Sequence, residues 1–202
     1  MTTEQQQAIN KQRIALYGGA FDPVHRAHLK AARAAQSQAS LDQVVFIPAA
    51  QSPLKEHRPV ASDSERLKML ELALAEESGC VLDDFELRRG GVSYTVDTAR
   101  KYKKSKPEAE LFWIIGGDQL AQLDHWHAIE ELAAQVTFLV LARPGFDLSA
   151  PKVPGLLWKK VEAPLMAESS TTIRERLSGG LSVDGLLPIS VEAFIRAKGL
   201  YI

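Results

Sequence analysis

The sequence predicts an α/β fold, a parallel sheet with helices on both faces, and three observations predict it. Short apolar runs rich in β-branched and aromatic residues recur along the chain, as buried parallel strands do. Longer stretches of helical spacing separate them. A hydrophobic content of 46% in 202 residues is enough for one sizeable core. Residues 1–11, rich in glutamine, precede the first apolar run and are expected to form a mobile extension, leaving 12–202 as a single domain.

The first strand is expected over Arg13 to Tyr17, and HRAHLKAARAAQSQA after it favours helix through its alanine and leucine content. Gln43 to Pro48 reads as the second strand. The segment SDSERLKMLELALAEE, opening on Ser62 with a glutamate three residues later, reads as a helix with a capping box. Leu111 to Gly116 and Val136 to Ala142 complete the apolar strands. STTIRERLSGG and PISVEAFIRAKGLYI read as two closing helices separated by a glycine stop. This alternation implies right-handed crossovers and a ligand site at the carboxyl ends of the strands. The proline-containing stretches Ala49 to Ala61 and Pro144 to Pro154 are candidate substrate-closing loops.

Lysine and arginine total 24 against 25 acidic residues, so a net charge of −1 supplies no bulk field for nucleic acid or an anionic membrane. Any nucleotide site must be local. Cys80 has no partner for a disulfide or a CxxC zinc site, and reads as an inert thiol in a reducing compartment. The start MTTEQQQAINKQR lacks the apolar core of a secretory signal, and no apolar run reaches membrane-span length. These features place the expectation at a cytoplasmic protein that binds neither membrane nor nucleic acid.

The chemistry concentrates directly after the first strand, in GGAFDPVHRAHLKAA. Gly18 and Gly19 remove Cβ atoms where the backbone is expected to turn and approach a ligand. His25 and His28, three apart at a helix start, share one face beside exposed backbone N–H groups. A phosphate there would meet N–H donors, the positive end of the helix dipole and two imidazoles, which suits phosphoryl or nucleotidyl transfer. A purely structural helix cap and a metal site built from Asp22, His25 and His28 are the alternatives; His57, His125 and His127 follow no ligand spacing. The chain has neither GxxxxGK[ST] nor GxGxxG after a strand, so no Walker or dehydrogenase fingerprint is present.

GGAFDPVHRAH resembles the GGxFDPxHxGH signature of the HxGH nucleotidyltransferases, specifically the bacterial nicotinate-mononucleotide adenylyltransferases. SYTVDT at 93–98, FWIIGGDQLAQLDHW at 112–126, LVLARPG at 139–145, SSTTIRERL at 169–177 and the ending KGLYI resemble that family's landmarks in its order. One departure is Ala27, where the family has glycine. The resemblance implies a Rossmann-like nucleotidyltransferase fold and transfer of AMP from ATP to nicotinate mononucleotide, forming deamido-NAD and pyrophosphate. It implies that Gly18, Gly19, Ala20 and Phe21 lie against ATP with His25 and His28. It likewise implies that Ser170, Thr171 and Arg174, the arginine in the helix's first turn, hold the triphosphate, with Asp118 near the adenosine ribose and Arg143 near the nucleotide; apart from the resemblance, Lys55 in the proline-rich loop QSPLKEHRP is a candidate to reach the phosphates. Plainer readings are an N-cap for Asp118 and for the hydroxyl cluster, a solvated side chain for Arg174 and Lys55, and a pair with a surface carboxylate for Arg143. Ser93, Tyr94, Thr95, Trp126 and His127 are implied to bind the acceptor, its ring against Trp126, whereas a tryptophan anchoring the amphipathic helix DHWHAIEELAA is the alternative.

No serine, cysteine or lysine is paired with a base as a covalent nucleophile, so direct in-line attack on the α-phosphorus is expected. Magnesium would arrive with ATP, bridging the leaving phosphates with little protein signature. Nicotinamide mononucleotide, or both pyridine nucleotides, is the alternative acceptor, and a nucleotide-binding regulator without turnover the alternative function. Self-association is left open.

Overall fold

Six strands lie side by side in one all-parallel sheet in the order β3-β2-β1-β4-β5-β6. The structure is a computed structural model and describes residues 11–53, 57–142, 148–163 and 169–202; Lys55, Arg143 and the expected extension at 1–10 lie outside the described residues. The strands are β1 (Arg13–Gly19), β2 (Gln43–Pro48), β3 (Cys80–Leu82), β4 (Glu110–Gly116), β5 (Thr137–Leu141) and β6 (Trp158–Val161). The chain steps outward from β1 through β2 to β3, then returns to the other side of β1 and steps outward through β4, β5 and β6. The order therefore reverses between β1 and β4. Their ladder ends at Leu16 opposite Trp113, three residues short of the end of each strand, so a crevice opens where ligands of such sheets bind.

Alternate strand residues feed two cores, as the two-residue period of a strand requires. Ala15, Tyr17, Val44, Phe46, Phe112 and Ile114 face one side, covered by α1 (Arg26–Gln38), α2 (Asp63–Leu74), α7 (Ser170–Ser178) and α8 (Ile189–Lys198). Ile14, Leu16, Val45, Ile47, Trp113 and Ile115 face the other, covered by α4 (Thr95–Ser105), α5 (Gly117–Leu120) and α6 (Ile129–Ala133). The short α3 (Phe85–Arg89) leads into α4. Helices thus cover both faces. Helix α1 buries Leu29, Ala31, Ala32 and Ala35, a largely small-residue face. Helix α2 starts in the expected box: Ser62 N donates to Glu65 Oε2 at 2.8 Å and Glu65 N to Ser62 Oγ at 3.3 Å.

The four apolar runs are strands within a residue or two of their expected limits, and β3 and β6 are additional. Both are sheet edges, only three and four residues long, and β6 carries exposed Lys159 and Lys160, the charge that blunts an edge against further pairing. Burial, with Glu77 nearby, pushes the Cys80 thiol up to about 11, so it stays protonated at neutral pH. No helix among the described residues is long and apolar enough to cross a membrane.

Candidate active site

The two glycines after the first strand do not make the turn. Strand β1 continues through both, and a Cβ on Gly18 would lie 2.9 Å from Trp113 Cζ2, while one on Gly19 would lie 3.1 Å from the Phe21 ring. Their missing side chains make room for aromatic rings. The reversal falls at Phe21, which takes a left-handed φ of 48°. Arg66, fully buried on α2, donates from Nη1 to Ala20 O at 2.7 Å. A trans peptide points its C=O and N–H to opposite sides, so this bond turns the Phe21 N–H away from Arg66.

His25 caps α1, and its backbone N–H donates to His28 Nδ1 at 3.2 Å. An N–H can only donate, so Nδ1 is the acceptor and a neutral His28 carries its proton on Nε2. The two imidazoles lie 3.8 Å apart and 32° from parallel, and the Phe21 ring meets His28 edge-on at 5.0 Å. Ala27 occupies the second position of the same regular helix, where alanine is preferred to glycine.

Helix α7 docks on this loop through carbonyls. Ser169 caps it, accepting from Thr172 N at 3.1 Å, and Ser170 Oγ donates to Pro23 O at 3.0 Å. Arg174 Nη1 donates to Asp22 O at 2.7 Å, and Nη2 to Thr171 Oγ1 at 3.2 Å. With α7 starting at Ser170, Arg174 lies beyond the first turn, a correction to the reading from the hydroxyl cluster. Two helix starts, one bearing the histidine pair and one bearing Ser170, Thr171 and Arg174, are thereby fixed against each other. The Asp22 carboxylate is committed elsewhere: it accepts from Val60 N at 2.8 Å, Ala61 N at 3.0 Å and Tyr201 Oη at 2.7 Å. That removes it from a metal site with the histidines, and among the described residues no group of three His, Cys, Asp or Glu side chains is placed to hold a metal.

Asp118 is the second residue of α5, whose cap is Gly116, so the N-cap alternative does not hold. Its Oδ1 is buried with no hydrogen-bond partner among the described residues, and a Cβ at Gly116 would collide with that oxygen. A buried carboxylate oxygen without a donor is uncommon in a folded protein, which makes Asp118 a candidate to meet a ligand donor.

Ser93 and Tyr94 lead into α4, of which Thr95 is the first residue. Ser93 Oγ accepts from Ala50 N at 3.0 Å, and the buried Glu86 accepts from the Thr98 hydroxyl at 2.6 Å. Burial raises the Glu86 carboxyl above its ordinary range, and the Thr98 hydroxyl bond only partly offsets this. Ala49 N donates to Gly19 O at 2.8 Å, so consecutive residues tie the glycine corner to Ser93. The Tyr94 and His127 rings lie 4.4 Å apart, which brings the two acceptor-side segments together. Trp126 stands in an extended link between a short 3₁₀ turn and α6, its ring edge-on to Phe138 at 6.3 Å. The continuous helix DHWHAIEELAA does not form, because Ala128 is left-handed at φ 49°. Trp126 Nε1 is buried without a hydrogen-bond partner among the described residues.

Arg66, Glu86 and Tyr201 hold this arrangement, and the sequence expectations passed over all three. For Arg66 a signal existed: it precedes Met69, Leu70 and Ala73 at spacings of three, four and seven, so it belongs to the buried stripe of α2. Tyr201 lies in the landmark ending KGLYI, to which no role was given, and Glu86 carries no signal in a single sequence.

Residues 16–176 match the cytidylyltransferase-like family model. A protein of Opitutus terrae described as a probable nicotinate-nucleotide adenylyltransferase is 45% identical over 190 residues, covering 94% of this chain and 97% of that one. One of Herpetosiphon aurantiacus with the same description is 40% identical over 197 residues, covering 95% and 99%. The fold is also that of the Plasmodium falciparum nicotinic acid mononucleotide adenylyltransferase solved with NaAD, at a TM-score of 0.78 and 18% identity over 94% of this chain and 97% of that one. With a family model matched over residues 16–176 and near full-length relatives at these identities, the chain belongs to the nicotinate-nucleotide adenylyltransferase family of cytidylyltransferase-like proteins.

Proposed function

We propose that this protein transfers AMP from ATP to nicotinate mononucleotide, forming deamido-NAD and pyrophosphate. The observation that carries the reading is the joining of two phosphate-type helix starts, α1 and α7, through the carbonyls of Asp22 and Pro23 at the reversal point of the sheet. A phosphate oxygen of the mononucleotide attacks the α-phosphorus as the bond to the bridging oxygen breaks, and pyrophosphate leaves in line. A phosphate dianion is already a competent nucleophile, so the enzyme's task is positioning and charge neutralisation.

In this reading His28 donates through Nε2, the tautomer its Nδ1 contact favours, and His25 beside it contributes to the same electrostatic corner. The N–H of Phe21 and the backbone from Gly18 to Ala20 line the phosphate side, while Ser170, Thr171 and Arg174 take the triphosphate. The buried Asp118 Oδ1 accepts from a ribose hydroxyl. Trp126 and His127, with Ser93, Tyr94 and Thr95, flank the pyridine ring. Ser93 is also tied into the fold, its hydroxyl accepting from Ala50 N. Magnesium takes oxygen ligands, whereas the groups around the phosphates are N–H donors, imidazole and guanidinium, so magnesium belongs to the incoming MgATP.

The test is pyrophosphate release from MgATP with nicotinate or nicotinamide mononucleotide as acceptor. The proposal requires faster release with the acid. Equal or faster release with the amide would replace the acceptor assignment, and binding of ATP without release by either would replace catalysis with a regulatory role.

A further inference from the structure

The penultimate residue of the chain reaches across the fold to the loop between β1 and α1. Helix α8 ends in a paired turn, Gly199 N donating to Arg196 O at 3.2 Å and Leu200 N to Ile195 O at 3.0 Å, with Gly199 left-handed. Tyr201 then also takes a left-handed φ of 63°, a conformation costly for a residue with a Cβ. What the surroundings maintain at that cost is the Tyr201 hydroxyl on Asp22 Oδ1 at 2.7 Å.

Asp22 is buried, and its two oxygens are drawn away from Arg174. Oδ1 is held by Tyr201 and Ala61 N, and Oδ2 by Val60 N. Oδ2 lies 3.7 Å from Arg174 Nη1, near enough for attraction and too far for a hydrogen bond, while the guanidinium bonds the backbone carbonyl of Asp22 instead. Were Oδ1 released, the carboxylate could turn and take the guanidinium in a two-point ion pair, the geometry that most strongly competes with phosphate for arginine. Burial, with the Asp22 charge beside it, pushes the Tyr201 phenol well above its ordinary range, so it remains a donor.

We infer that Tyr201 is a positioning residue: its hydroxyl holds the Asp22 carboxylate off Arg174 and so keeps the guanidinium available for the triphosphate of ATP. The inference rests on the assignment of Arg174 to the triphosphate.

Tyr201→Phe, Arg174→Ala and the double variant, each in the full chain, separate the two ideas. KM for ATP, KM for nicotinate mononucleotide and kcat are measured for each, with the thermal midpoint in the absence and presence of a non-hydrolysable ATP analogue. Tyr201→Phe is expected to raise KM for ATP about tenfold, the scale of one hydrogen bond to a charged group. It should leave KM for the mononucleotide within about twofold of the parent protein and should reduce the shift produced by the analogue, and in the Arg174→Ala background it should add nothing. An equal change in both KM values, or an undiminished effect without Arg174, would make Tyr201 a merely structural residue and overturn the inference. A silent Tyr201→Phe beside a damaging Arg174→Ala would overturn the inference and leave the triphosphate assignment standing. A silent Arg174→Ala would overturn both.

Discussion

Replacing Arg66 by methionine should separate stability from activity. The guanidinium is fully buried, donates to Ala20 O at 2.7 Å and to Asp63 Oδ1 at 2.6 Å, and leaves its Nε unpartnered among the described residues. Removing it deprives the Ala20 carbonyl of a donor, which costs about 1–3 kcal/mol. Asp63, at 59% side-chain exposure, returns to water at little cost. Against this, a side chain of similar volume no longer carries a desolvated charge, and such exchanges of buried ions for apolar groups are often neutral or favourable by about 1–4 kcal/mol. The opposing contributions leave a net stability change within about 2 kcal/mol in either direction. The Ala20–Phe21 peptide, however, loses what fixes its orientation. If the Phe21 N–H is a phosphate donor, its loss lowers kcat by about 10²- to 10³-fold, the usual effect of deleting one preorganised donor. Urea unfolding gives the first quantity and steady-state pyrophosphate release the second. A kcat within about threefold of the parent in a stably folded Arg66→Met protein would refute the proposed role of that peptide.

Gly18→Ala places a methyl 2.9 Å from the buried Trp113 ring, and overpacking of this kind should cost about 1–3 kcal/mol, read as a lower urea midpoint with an unchanged slope; an unchanged midpoint would show that the indole yields. Glu86 has its folded carboxyl raised by burial, so the folded state binds more protons than the unfolded one, and stability falls as pH rises from the ordinary carboxylate range through the raised one. Glu86→Gln should therefore be less sensitive to pH over that window and gain stability relative to the parent at its upper end. Parallel stability curves for the two proteins between pH 4 and pH 8 would count against it.

What could be read from the chain was local. The run GGAFDPVHRAH places strand end, loop, cap and both histidines within a few residues, and Ser62 with Glu65 announces α2 in four. The same locality misassigned the glycines: that Gly18 faces Trp113 and Gly19 faces the Phe21 ring is a packing fact, and composition gives a turn and a packing gap the same letters. Strands β3 and β6 escaped because CVL is only three residues long and WKKV mixes polar and apolar residues, and neither forms a buried run. The contact between Asp22 and Tyr201 spans 179 residues, and no periodicity connects positions so far apart. Ser93 was legible as part of the acceptor segment but its bond to Ala50 was not, since a hydroxyl's partners are set by the loops that fold over it.

The most direct measurement is kcat for dinucleotide formation from MgATP and nicotinate mononucleotide by the parent protein and by His28→Ala, with circular dichroism to confirm that both are folded. The account predicts efficient formation by the parent and a loss of about 10²-fold or more in the variant, because the imidazole donates where charge develops. Undiminished turnover by a folded His28→Ala protein would contradict it and place the chemistry elsewhere on the sheet.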